Sequence, residues 1–184
     1  MQVKSILCLT SIATLALAAN VDDVLRDLEL VATQAASLQS AITAFPSMAG
    51  VADLSAALSI HATAISVVTT LNETKVNAQT VPTPVSLEDG TQVLDTIDGM
   101  KPTVEGALAA AINKKYSFRG LFGDFPGPTA FDLLRQGLLN INSSAVALGD
   151  LLGSIVPPEI RAEAFATGEE ISGALTEAIA VYSS

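Results

Sequence analysis

Tryptophan is absent from this 184-residue chain, histidine and cysteine occur once each, and aromatic residues make up only 4% of it. One imidazole and one thiol leave almost nothing for metal, thiol or triad chemistry. Charge is sparse too, at 15% of residues, and one-sided: nine basic against 19 acidic groups give a net charge of −10. A chain of that sign repels phosphates, which argues against nucleic acid as a partner and against electrostatic docking on anionic lipid. The sequence also carries no Gly-x-Ser-x-Gly elbow, no Walker loop and no His-Glu-x-x-His. These absences point away from an enzyme, and to a protein with no cofactor and no metal.

What is present is apolar. Nearly half the residues (49%) are hydrophobic and the mean hydropathy is +0.48, which excludes disorder for want of a core. Residues 1–18 run from Lys4 through an apolar stretch starting at Ile6 to Ala16-Leu17-Ala18, the pattern of a secretory signal peptide cleaved after Ala18. That stretch is too short for a membrane anchor. Cleavage removes Cys8, so the single domain expected over 19–184 holds without disulfides. Two sequons follow, Asn72-Glu73-Thr74 and Asn142-Ser143-Ser144, as candidate glycosylation sites. The last residues, Ala180 to Ser184, show no hydrophobic tail and no prenylation box, which points to free secretion.

Hydrophobic spacing along the rest is helical. Val21, Val24, Leu28, Val31, Ala35, Leu38, Ile42 and Phe45 recur at three and four residues, with Asn20 or Asp22 as the cap and Pro46 as the stop. A second helix is expected from about Val51 to Glu73, with Leu54, Leu58, His61, Ile65 and Val68 on one face and Ile60, Ala64, Val67 and Leu71 widening the arc. After the stiff connector Val81-Pro82-Thr83-Pro84-Val85, a third helix runs from about Leu87 to Tyr116 through Val93, Ile97, Met100, Val104 and Leu108, kinked or split at Pro102. A fourth follows from Pro128 to Ile155, through Leu134, Leu138, Ile141 and Leu148. Pro157-Pro158 precedes a fifth, from about Glu159 to Tyr182. No segment shows strand alternation. The expectation is an all-α fold, an antiparallel bundle of about five helices.

The seams of this bundle mix Leu, Val and Ile with Ala, Ser, Thr and Gly, so they either pack closely or enclose a cavity. A cavity would be lined by Leu28, Val31, Leu38, Leu54, Leu58, His61, Ile65, Val68, Ile97, Met100, Val104, Leu108, Leu138 and Ile141. It would suit a fatty acid or another apolar ligand. With no Lys or Arg on the inward seams, a carboxylate would be held by hydroxyls such as Ser59, Thr63 or Ser66. His61 reads equally as a hydrogen-bonded seam residue. Asp95 and Asp98 could share a cation or a proton, although such pairs more often make a solvated face. The pair Gly149 and Gly153 permits a close helix crossing.

Five of the eight aromatics fall in one Gly/Pro-rich stretch: Tyr116, Phe118, Phe122, Phe125 and Phe131. Two readings stand. The rings finish one end of the core, or Phe118, Phe122 and Phe125 form a flap that meets a hydrophobic surface or gates a cavity.

Several of these segments together, Asn-Val-Asp-Asp-Val-Leu-Arg-Asp-Leu, Leu-Gln-Ser-Ala-Ile, Leu-Asp-Thr-Ile, Pro-Thr-Val-Glu-Gly-Ala-Leu and Asn113-Lys114-Lys115 before Phe118, resemble the fungal hydrophobic surface-binding protein A family, which includes the cell-wall galactomannoproteins. The resemblance covers essentially the whole chain after the leader, and its motifs are diffuse helix patterns. It implies a secreted, non-enzymatic all-α bundle, cell-wall associated in some relatives. Some members adsorb to hydrophobic surfaces and recruit a secreted esterase or cutinase, and others hold fatty acids between their helices. The Ser/Thr-rich stalk and lipid-anchor signal of the anchored relatives do not occur here.

Overall fold

A computed structural model describes residues 20–48, 50–119 and 129–183, so the leader at 1–18, Phe122 and Phe125 lie outside the described residues. Among those described, all regular structure is helical: α1 (Val21–Ala44), a 3-10 turn (Val51–Asp53), α2 (Leu54–Thr80), α3 (Leu87–Asn113), the short α4 (Lys115–Arg119), α5 (Ala130–Ile155) and α6 (Pro158–Val181).

The starts are set by side chains that satisfy the unpaired amides of a first turn. Asn20 and Asp23 close a reciprocal capping box at α1, and Ser86 accepts from the Asp89 amide at α3. At α5, Thr129 and Asp132 form a second capping box. The Thr129 hydroxyl and amide donate to the Asp132 carboxylate at 2.7 and 3.0 Å, and these bonds hold that carboxyl below the usual range. A depressed carboxylate stabilises the fold above its unfolded pKa and loses that contribution as pH falls through the folded one. Thr129→Ala is therefore expected to cost about 1 kcal/mol at neutral pH. The gap to wild type should narrow in urea melts near pH 3.

Pro102 does not split its helix. α3 is continuous from Leu87 to Asn113. Pro102 is on the exposed side, where water can pair with the carbonyl its missing N–H leaves free. The actual break comes later, at Lys114, which separates α3 from α4.

The five long helices form a closed ring. Going round, α2 packs on α1, α1 on α3, α3 on α6, α6 on α5, and α5 on α2 again. Consecutive helices reverse direction, but an odd ring cannot alternate throughout. Gln34 bonds Thr70 and Asp27 bonds Asn77, so α1 and α2 are antiparallel. Asp98 pairs with Thr167 and Ala111 with Tyr182, so α3 and α6 are parallel.

Each end of the ring is stoppered. At one end the connector before α3, with its cis Thr83–Pro84 bond, brings Val81 and Val85 against Val24 and Val156. The Val85 amide donates to the Ile155 carbonyl at 3.3 Å. At the other end Phe45 stacks on Phe118 with ring centres 4.4 Å apart, and Phe131 meets Tyr182 at 5.0 Å. The Tyr182 hydroxyl donates to the Ala111 carbonyl at 2.6 Å, and its burial pushes the phenol pKa far up. Lys114 donates to the Phe45 carbonyl, and Ser117 to that of Ser47 at 3.0 Å.

Candidate functional site

A ring of five helices stoppered at both ends leaves a space along its axis. The cavity measures about 130 Å³. Leu28 and Val31 of α1, Val67 and Leu71 of α2, and Val93, Leu94, Ile97, Met100, Val104 and Leu108 of α3 line it. So do Ile141, Leu148, Leu152 and Gly149 of α5, and Ala164, Gly168, Ile171, Ser172 and Leu175 of α6. Ser172 is the one polar side chain in this lining, and no charged residue contributes. The Ser172 hydroxyl lies 3.4 Å from Asn142 Oδ1 across the α5–α6 seam.

That seam is loose in its middle. A Cβ built at Gly149 or at Gly168 meets no heavy atom within 4 Å. Nearer the α5–α6 turn it closes, where the Phe165 ring lies over Gly153, 2.7 Å from where a Cβ would stand. Of the two glycines expected to permit a close crossing, only Gly153 is used that way.

Seven of the fourteen residues expected to line a cavity do so: Leu28, Val31, Ile97, Met100, Val104, Leu108 and Ile141. Leu38 and Leu138 are buried in the core cluster towards the aromatic end instead. The face expected of α2 is corrected. Leu58 and Ile65 are 48% and 51% exposed, and Leu54, His61 and Val68 are half-buried and line no part of the cavity. The inward face of α2 is Ala57, Ile60, Ala64, Val67 and Leu71.

Ser59 and Ser66 consequently point outward and Thr63 is half-buried. Thr63 and Ser66 donate to the carbonyls of Ser59 and Ala62. None of the three reaches the cavity, whose hydroxyl comes from Ser172. Sequence reasoning missed Ser172 because a serine among Ile171, Gly173 and Ala174 carries no signal of its own.

The aromatic stretch divides. Phe118 is 1% exposed and Phe131 packs on the core, whereas Tyr116 is exposed. The described part of that stretch finishes the core, which removes Phe118 from any surface flap. Asp98 accepts from Thr167 at 3.1 Å and lies 3.5 Å from Lys101, which also bridges to Glu170. Asp98 thus ties α3 to α6, and Asp95 is exposed. Among the described residues no group of three or more His, Cys, Asp or Glu side chains could hold a metal ion. Asn72 is exposed and Asn142 half-buried.

Two solved structures share this architecture. Afmp4p in complex with palmitic acid superposes with a TM-score of 0.78 at 22% identity, covering 88% of this chain and 99% of its own. Ligand binding domain 1 of the Penicillium marneffei MP1 protein, complexed with arachidonic acids, gives 0.74 at 16% identity, covering 88% and 96%. No curated protein sequence matches the chain at a significant level. The profile described as hydrophobic surface binding protein A matches residues 21–154. The all-α fold is thus shared with those two structures, and the sequence match places the chain in the hydrophobic surface binding protein A family.

Proposed function

We propose that this protein is a non-enzymatic binder of apolar material, which takes the acyl chain of a fatty acid between its helices and adsorbs to hydrophobic surfaces. The observation that carries the first half is the cavity lining, in which one serine hydroxyl is the only polar side chain. Support comes from the two structural relatives, which hold palmitic and arachidonic acids, and from the family's description for the second half. The signal-peptide pattern at 1–18 supports secretion. An esterase or cutinase partner is no part of this reading.

At about 130 Å³ the cavity is near the size that holds a benzene, roughly 150 Å³. It is well below the roughly 300 Å³ at which ordinary ligand pockets begin. An acyl chain therefore enters only if the ring widens. Burying a sixteen-carbon chain at about 0.8 kcal/mol per methylene gives roughly 10–12 kcal/mol gross. Association takes at least about 4 kcal/mol of this, leaving about 6–8 kcal/mol before the helices part. That balance sets the dissociation constant at about micromolar or weaker.

The carboxyl group has no cation to meet inside. Burying it ionised and unpaired would be prohibitive, so it stays at the α5–α6 seam beside Ser172 and Asn142, in reach of water. Palmitate and methyl palmitate are accordingly expected to bind about equally well. Native mass spectrometry of delipidated protein with each ligand added back checks this. One-to-one complexes with both are expected, and no bound lipid at any ratio would end the carrier reading.

A further inference from the structure

Charge is distributed very unevenly around the ring. Leu30–Ala44 of α1, Leu54–Asn72 of α2 and Gln136–Gly149 of α5 contain no Asp, Glu, Lys or Arg. These three helices are consecutive in the ring, with α2 in the middle. The two remaining long helices, α3 and α6, carry ten of the acidic groups, among them Asp95, Glu105, Glu163 and Glu177. Over those segments one wall is therefore uncharged, while the wall opposite is strongly negative.

The neutral wall is also apolar where it is most exposed. Leu30 is 46% exposed on α1, and Leu58 and Ile65 about half exposed on α2. Four of its hydroxyls are already paired: Thr33, Ser37, Ser66 and Thr69 each donate to the carbonyl four residues earlier in their own helix. A hydroxyl whose donor is satisfied internally loses little when water is taken away. α2 reaches the mean hydropathy of a membrane-spanning helix, 1.6 over its best window, with only a third of that window buried. Its outward side leaves Leu58, Ile65 and Val76 uncovered by any neighbouring helix.

We infer that the α1–α2 wall, centred on Leu58 and Ile65, is the face by which the protein adsorbs to an uncharged hydrocarbon surface. The acidic α3–α6 wall then points to water. An uncharged apolar solid complements the neutral wall, because contact there desolvates no charge, whereas contact through α3 and α6 would desolvate many. This inference rests on the adsorption half of the function proposed above and adds to it the side of the molecule responsible.

Octadecyl-coated beads test it, with depletion of protein from solution as the readout. Leu58→Glu/Ile65→Glu and Leu58→Lys/Ile65→Lys are both expected to lower the partition coefficient about tenfold or more. Both positions face solvent, so the fold and palmitate binding should persist. Ala166→Glu/Thr176→Glu, at exposed positions of α6, should adsorb like wild type. Wild-type protein that stays in solution would sink the adsorption reading itself. Wild type that adsorbs, with both Leu58/Ile65 variants adsorbing equally well, would overturn only the assignment of the face. Opposite effects of Glu and Lys would identify net charge as the cause and overturn it too. So would a wild-type dimer, seen by size-exclusion chromatography with light scattering, that the variants dissolve while still adsorbing to beads.

Discussion

Replacing Gly149 and Gly168 together with leucine should make the protein more stable and remove its capacity for palmitate. Both glycines lie inside long helices and line the cavity. A Cβ at either meets nothing within 4 Å, so the larger side chains extend into empty space. Each glycine inside a helix is worth about 0.8–1 kcal/mol of lost stability relative to a good helix former. The double variant should therefore gain about 1.5–2 kcal/mol, a rise of roughly 3–8 °C in Tm for a chain of this size. The leucine side chains would also take up the space of about 130 Å³ and block the seam at which the ring must open. Affinity for palmitate should fall about tenfold or more, since refilling the cavity forfeits the burial of several methylenes. Calorimetry and a palmitate titration on the same sample give both signs. A stabilised variant that still binds like wild type would place the guest elsewhere on the molecule.

The second large effect concerns Phe118. Its ring stacks on Phe45, is 1% exposed, and belongs to the core cluster that closes one end of the ring. Phe118→Ala should cost about 3–5 kcal/mol, the range for truncating a buried aromatic, and lower Tm by about 6–20 °C at 2–4 °C per kcal/mol. Tyr116→Ala, two residues away with a 78% exposed ring, should stay within about 0.5 kcal/mol of wild type. Thermal melts of the two variants suffice. Equal stability would show that the aromatic stopper contributes nothing. A loss of adsorption in a Phe118→Ser variant would accordingly report a damaged fold rather than a lost contact.

The order of the long helices and several of their ends were legible in the sequence because caps and prolines are local signals: Asn20 before α1, Pro46 after it, Pro157-Pro158 before α6. Other ends were not: α2 continues past the expected Glu73 to Thr80, and α3 stops at Asn113 rather than Tyr116. The cavity walls contributed by α1 and α3 were legible too, since most of their large apolar side chains lie on the inward side. α2 misleads for a physical reason. Its inward face is built of Ala57, Ala64, Thr70, Thr74 and Ala78 among a few larger residues, because α5 approaches closely there, with the Ala64 Cβ 3.4 Å from where a Gly137 Cβ would stand. Leu58 and Ile65 are left outside, so ranking positions by side-chain size selects the wrong side. The ring itself could not be read, because the seams α2–α5 and α3–α6 join segments about 70 residues apart and depend on which small residues face each other. Nor could the loose middle of the α5–α6 seam, where Gly149 and Gly153 look alike in sequence and differ only through Phe165.

An odd ring has an electrical consequence. α1, α3 and α6 all finish at the aromatic end, whereas only α2 and α5 begin there. Each helix terminus acts as about half an elementary charge, negative where carbonyls emerge and positive where amides do. Three negative poles against two positive ones leave that end with an uncancelled pole. Lys114, Lys115 and Arg119, a third of the nine cations of an acidic chain, are placed just there, and Lys114 takes the Phe45 carbonyl at the finish of α1 directly. The basic cluster beside the stopper neutralises the dipole that five macroscopically aligned rods cannot cancel among themselves.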